Sequence, residues 1–113
     1  MFVHIVEDDA AVADALAIAL EDLDHRPVTY RDGETFLAAA NPSAEDWVIV
    51  DLGLPGKCGT EVVIELMNRA NPPGIVAISG KSRTSLLRQL RDLPDLRVLR
   101  KPLSIEMLTA AMA

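Results

Sequence analysis

Residues 47–59 read Trp47-Val48-Ile49-Val50-Asp51-Leu52-Gly53-Leu54-Pro55-Gly56-Lys57-Cys58-Gly59. The first four are almost continuously apolar and rich in β-branched side chains, the pattern of a parallel strand covered on both faces. The run stops at Asp51, and the glycines and proline of the next eight residues mark an irregular turn. A helical pattern follows with Val62, Val63, Leu66 and Met67, closed by Asn71-Pro72-Pro73-Gly74. A buried strand that passes through a short loop into an amphipathic helix is one βα unit, and similar units recur on both sides of it.

Upstream, Val3 to Val6 reads as a first strand. Residues 10–23 place Val12, Leu16, Leu20 and Leu23 at spacings of four, four and three, one face of a helix that Asp9 can cap. Arg26 to Tyr30 is a weaker second strand. A short helix then starts at Asp32 or Gly33, carries Phe36, Leu37 and Ala40, and ends at Asn41-Pro42, because the residue before proline avoids helical angles. Downstream, Ile75 to Ile78 is a fourth strand ending at Ser79-Gly80. A fourth helix presents Leu86, Leu87, Leu90 and Leu93 before Pro94, and Leu96 to Leu99 is a short fifth strand leading to Lys101-Pro102. Ser104 can cap a last helix with Ile105, Leu108 and Met112 inward. Crossovers between parallel strands are right-handed, so this alternation predicts an α/β fold: a (βα)5 doubly wound parallel sheet, strand order 2-1-3-4-5, flavodoxin-like. The 113 residues are expected to form one domain over 1–113.

Seventeen acidic against eleven basic residues give a net charge of -6, the wrong sign for holding a phosphate backbone, so direct nucleic-acid binding is not expected. The single Cys58 can form no internal disulfide and offers no zinc-type spacing, which fits a reducing compartment. The chain opens on a short apolar run that meets Glu7, Asp8 and Asp9 with no basic segment before it. Neither a signal peptide nor a membrane span is expected, and the expected location is cytoplasmic.

In such sheets ligands bind beyond the carboxyl ends of the strands, where the strand order reverses, here between the first and third strands. Glu7, Asp8 and Asp9 follow the first strand, Asp51 ends the third, Ser79 the fourth, and Lys101 the fifth. Crowded carboxylates raise one another's pKa unless they share a cation, and oxygen-only donors with room for water suit Mg2+. Such a site can accept a phosphoryl group, because a carboxylate can form an acyl phosphate and the transfer is catalysed by positioning and charge neutralisation. Asp51 is then the nucleophile. Asp8, Asp51 and a backbone carbonyl near Gly53 hold the metal, Glu7 acts through a metal-bound water, and Lys101 and the Ser79 hydroxyl contact phosphoryl oxygens. Asp9 is read as a helix cap, His4 as a strand residue with a local hydrogen bond, and Cys58 as incidental. Lys81, two residues after Ser79, is placed to reach the mouth of the site.

The run Val6-Glu7-Asp8-Asp9, the segment Asp51-Leu52-Gly53-Leu54-Pro55-Gly56 with Gly59, Ser79 after Ile75-Val76-Ala77-Ile78, and Lys101-Pro102 together resemble the receiver domains of two-component response regulators. The resemblance covers essentially the whole chain. It implies Mg2+-dependent transfer of phosphate to Asp51 from a histidine of a sensor histidine kinase or a histidine phosphotransfer protein. It also implies a cis Lys101-Pro102 peptide. The chain would then be a phosphoacceptor switch rather than an enzyme, acting on a downstream protein or a second copy through the face of the fourth helix, fifth strand and fifth helix. Two departures from the family pattern fall on that face: Val98 stands where an aromatic is usual, and Leu93-Pro94-Asp95 replaces a small-residue segment. They keep open a second reading, a receiver-like interaction module that works without phosphate. A hydrolase of the aspartyl-phosphate type would need a second acid soon after Asp51, and a flavin binder would need aromatics at the sheet edge; the sequence has neither.

Overall fold

A computed structural model describes residues 1–112 apart from 81, 83, 86, 87, 89, 92 and 94. The elements are β1 (Phe2–Val6), α1 (Ala10–Glu21), β2 (Arg26–Tyr30), α2 (Gly33–Ala39), β3 (Trp47–Asp51), α3 (Gly59–Met67), β4 (Gly74–Ser79), β5 (Arg97–Arg100) and α4 (Ile105–Ala111). The strands form one sheet in the order β2-β1-β3-β4-β5, and each neighbouring pair is parallel. This is the doubly wound arrangement that the strand–helix alternation predicts.

Alternation along the strands divides the core between the two faces of the sheet. Val3, Ile5, Ile49, Val76 and Ile78 pack with Leu16 and Leu20 of α1 and Leu108 of α4. Val6, Val48 and Val50 pack on the other side with Phe36 of α2 and Val62, Val63 and Leu66 of α3. β3 is buried from Val48 to Asp51, which accounts for its unbroken apolar run.

Three helix starts are fixed by side-chain caps: Asp9 and Ser104, read as caps from the sequence, and Asp32, one of the two expected start positions of its helix. The Asp9 carboxylate accepts from the Ala11 and Val12 amides at 3.0 and 3.3 Å, Asp32 from Thr35 at 2.7 Å, and Ser104 from Met107 at 3.1 Å. The Lys101-Pro102 peptide is cis.

Some expectations shift. Leu23 is 42% exposed rather than inward, because α1 ends at Glu21 and the chain reverses through Asp24 at φ 65°. Met67, the last residue of α3, also faces solvent. β5 begins at Arg97, one residue later than expected. Of the expected fourth helix, Leu86 and Leu87 lie outside the described residues, as does Lys81. Within that stretch Thr84, Ser85 and Arg88 are helical, and Leu93 packs against the α2–α3 side of the core.

The amino end of the sheet is tied together by one carboxylate. Asp46, just before β3, accepts from the Phe2 amide at 3.1 Å and the Ser43 amide at 3.0 Å. Its own carbonyl accepts from the Gly74 amide at 3.0 Å, so Asp46 links the starts of β1, β3 and β4. Burial pushes its carboxyl up, but the two amides and the neighbouring His4 ring outweigh that and hold it below the usual range. The partners of His4 are not local. Nδ1 lies 3.2 Å from the Tyr30 hydroxyl and Nε2 lies 3.7 Å from Asp46, because parallel pairing brings β2 and the start of β3 to either side of β1. Burial lowers the His4 pKa, with Asp46 partly offsetting it.

Candidate functional site

Five of the six residues singled out for chemistry stand at the carboxyl ends of β1, β3, β4 and β5, and the sixth, Gly53, lies in the loop after β3. In the parallel sheet Val6 pairs with Val50, Asp51 with Ile78, and Ser79 with Arg100, so residues distant in sequence share one edge. Beyond that edge each side chain has a distinct environment.

Glu7, Asp8 and Asp51 each offer a carboxylate oxygen, and these atoms lie within 4.8 Å of one another. Glu7 and Asp51 are buried, at 2% and 5% exposure, whereas Asp8 is exposed at the mouth. Lys101 enters from the end of β5. Its Nζ lies 2.7 Å from Glu7 Oε1 and 3.2 Å from Asp51 Oδ2, and its backbone amide donates to the Ser79 carbonyl at 2.8 Å. Asp51 Oδ1 accepts from the Gly53 amide at 2.8 Å, which fixes the first turn of the β3–α3 loop. The second Glu7 oxygen accepts from the Asp9 amide at 3.4 Å. Ser79, 1% exposed, ends β4 beside Asp51.

Burial raises the Glu7 carboxyl to about 7, and hydrogen bonding with Asp51 adds to that while Lys101 opposes it. Asp51 moves the other way. Burial opposes its ionisation, but hydrogen bonds from Glu7, the Gly53 amide and Lys101 outweigh it, so Asp51 is the anionic member of the pair. Burial would lower the Lys101 pKa, and the two carboxylates raise it instead. On formal charges, the three carboxylates beside one lysine leave the site short of positive charge. An all-oxygen set with a solvent-facing member fits a hard divalent cation that retains part of its water.

Six sequence candidates, Glu7, Asp8, Asp51, Gly53, Ser79 and Lys101, thus converge at this edge. Asp9 stays outside the acidic group as the cap of α1. Cys58 is half-buried at the start of α3, with Sγ 3.0 Å from Thr60 Oγ1 and 3.4 Å from Glu61 Oε1. Val98 packs half-buried with Leu52 and Ala77. One residue absent from the sequence reading borders the site's loop, Glu34, whose Oε1 accepts from the Lys57 amide at 2.8 Å, whereas Asp46, also absent from it, lies at the opposite end of β3. An acid in the first turn of a helix reads as a dipole partner, and nothing in the sequence pairs Glu34 with a loop 23 residues away. No helix among the described residues is long and apolar enough to cross a membrane.

The sequence model of the response regulator receiver domain matches residues 3–113. Sensory transduction protein RegX3 of Mycolicibacterium smegmatis is 38% identical over 80 residues, which are 71% of this chain and 35% of that protein. Transcriptional regulatory protein FixJ of Azorhizobium caulinodans is 27% identical over 110 residues, 97% of this chain and 52% of that protein. The chain therefore spans between a third and about half of the length of these curated relatives. Among solved structures, the response regulator receiver protein from Burkholderia phymatum superposes with a TM-score of 0.78 at 25% identity, over 98% of this chain and 90% of that one. The BeF3-activated DrrB receiver domain gives a TM-score of 0.84 at 21% identity over 98% and 92%, a likeness of fold. Sequence match and sheet topology agree: this chain belongs to the response regulator receiver domain family of two-component systems.

Proposed function

We propose that residues 1–113 act as one phosphoacceptor unit in which Asp51 takes a phosphoryl group from a phosphohistidine of a sensor kinase or phosphotransfer protein. The observation that carries this reading is the meeting of the Lys101 ammonium with two buried carboxylates, 2.7 Å from Glu7 and 3.2 Å from Asp51. An Asp51 carboxylate oxygen attacks phosphorus, the P–N bond breaks as the P–O bond forms, and the electron pair stays on the imidazole nitrogen. Asp51 Oδ1 is held by the Gly53 amide, which orients the carboxylate before the donor arrives. Lys101, already within reach of Asp51, turns from Glu7 to neutralise an equatorial phosphoryl oxygen, and Ser79 offers a hydroxyl at the end of the neighbouring strand.

Receiver domains bind Mg2+ at an acidic pocket, and the residues that would hold the ion here are Asp8, Asp51 and the Gly53 carbonyl, with Glu7 acting through a water. When bound, Mg2+ supplies charge neutralisation for the transferring phosphoryl group. The release of Lys101 from Glu7 and the drawing in of Ser79 would bias the face expected for the fourth sequence-predicted helix, β5 and α4 toward a downstream protein or a second copy. Val98 has no ring to swing, so the change would pass through the packing of Val98 on Leu52 and Ala77. On this reading the protein is a cytoplasmic signalling switch that assists its own modification.

Incubation with acetyl phosphate and Mg2+, followed by intact mass, is expected to add one phosphoryl group that is lost in Asp51→Asn and in metal-free samples. Absence of any adduct, with no response to beryllofluoride, would instead support the phosphate-independent interaction module that Val98 keeps open.

A further inference from the structure

The β3–α3 loop, residues 52–58, is anchored at its two ends to Asp51. The Gly53 amide donates to Asp51 Oδ1 at 2.8 Å, and Gly59 sits so close that a Cβ there would lie 2.3 Å from the Asp51 carbonyl oxygen. Between these anchors Pro55 and Gly56 are exposed, and the chain must turn through Gly56 at φ 69°. Glu34 of α2 reaches this middle stretch. Its Oε1 accepts from the Lys57 amide at 2.8 Å, and a Cβ on Gly56 would meet its Oε2 at 2.9 Å and its Oε1 at 3.3 Å. The carboxylate therefore lies over the Gly56–Lys57 peptide. The start of α2 supports it, since a Cβ on Gly33 would lie 2.6 Å from a Val62 methyl of α3 and 3.4 Å from the Lys57 carbonyl oxygen.

We infer that Glu34 is a positioning residue for the phosphoacceptor site: by clasping the Gly56–Lys57 peptide it holds the loop that carries Gly53. The inference rests on the reading of Asp51, Asp8 and Gly53 as the Mg2+ and phosphoryl site. Buried Leu54 also holds the loop beside Gly53, so the part left to the clasp is the exposed turn through Pro55 and Gly56, and each path of that turn shifts the Gly53–Leu54 segment and with it the Gly53 carbonyl relative to the carboxylates. The clasp selects one path before the ion binds, which lowers the ordering cost of binding.

The test compares wild type, Glu34→Ala and Glu34→Gln. Glu34 is exposed, and both variants keep the Asp32 cap of α2. Glutamine keeps an oxygen that can accept from the Lys57 amide but removes the charge, so the pair separates the clasp from a helix-dipole effect. Three readouts apply: amide exchange at Lys57 and Gly53 in metal-free protein, Mg2+ affinity by calorimetry, and the acetyl phosphate adduct. Glu34→Ala is expected to weaken Mg2+ roughly tenfold, the lower end of the effect of losing an outer support of a metal site, and to speed exchange at Lys57. Glu34→Gln should stay close to wild type in both. Wild-type Mg2+ affinity in Glu34→Ala, even with faster exchange, would overturn the inference while leaving the Asp51 reading intact, and so would a Glu34→Gln as impaired as Glu34→Ala. A wild type that takes up neither Mg2+ nor phosphoryl would overturn the site reading and this inference with it.

Discussion

Replacing Glu7 by Gln removes an ionisable group from a fully buried side chain while keeping its shape and an oxygen that can accept from Lys101. The Glu7 carboxyl is raised from its ordinary 4.5 to about 7, chiefly by burial. Below the lower value, folded and unfolded chains both hold the proton, and the carboxyl costs the fold nothing. Between the two values the unfolded chain ionises and the folded one does not, so stability falls as pH rises and levels off above about 7. A rise of roughly two and a half pH units at about 1.4 kcal/mol each sets a ceiling of about 3 kcal/mol on that loss. The proton is shared with Asp51, so the slope belongs to the pair; the lowered Asp51 pKa acts at more acid pH, outside this window. His4 contributes with the opposite sign, since its lowered pKa makes stability fall as pH drops below 6.5, but it does so equally in both proteins. Urea unfolding in a chelator between about pH 5 and pH 8 is expected to show the stability of Glu7→Gln, relative to wild type, increasing by about 2–3 kcal/mol as pH rises. Parallel stability profiles would refute the reasoning, because they would mean that Glu7 keeps no proton in the folded protein.

Asp8→Asn removes the exposed member of the acidic group, so it should abolish the stabilisation by Mg2+, expected in wild type to be about 2.7 kcal/mol at a concentration a hundredfold above the dissociation constant; thermal melts with and without Mg2+ check this. Asp46→Ala takes an acceptor from the Phe2 and Ser43 amides and should lower stability by about 2 kcal/mol. Calorimetry should find its Mg2+ affinity unchanged, because Asp46 lies at the opposite end of the sheet. In Gly59→Ala the new methyl meets backbone at 2.3 Å from the Asp51 carbonyl oxygen and 2.7 Å from the Leu52 Cα. Neither atom can yield without moving the acceptor, so urea unfolding should show a loss of about 3 kcal/mol or more.

Much of this architecture is legible in the sequence because its signals are local. The continuous apolar run of β3, the alternation of strands with helical periodicity, and the caps Asp9, Asp32 and Ser104 are each written within a few residues. The site is legible for a related reason: parallel strands send their carboxyl ends to one edge, so knowing where Val6, Val50, Ile78 and Arg100 end suffices to group Glu7, Asp51, Ser79 and Lys101. What escapes are side-chain contacts fixed only by packing. Glu34 reaches Lys57, and His4 reaches Asp46, through the way α2 and the start of β3 settle on their neighbours, and neither spacing carries a periodic signal. Leu23 is exposed although it fits the apolar stripe, because the periodicity runs past the point where the chain turns at Asp24. Glu7 differs in kind. Its position follows from sequence, but its pairing with Lys101 follows from charge, since a buried carboxylate draws the nearest cation.

On the proposed function Asp51, and no other carboxylate of the acidic group, forms the acyl phosphate. Borohydride reduction after treatment with acetyl phosphate and Mg2+ converts a phosphorylated aspartate to homoserine, and peptide mapping then locates it. Homoserine is expected at position 51 alone, appearing only when both phosphodonor and Mg2+ are present. Homoserine at position 8, or a phosphoryl adduct that persists in Asp51→Asn, would contradict it.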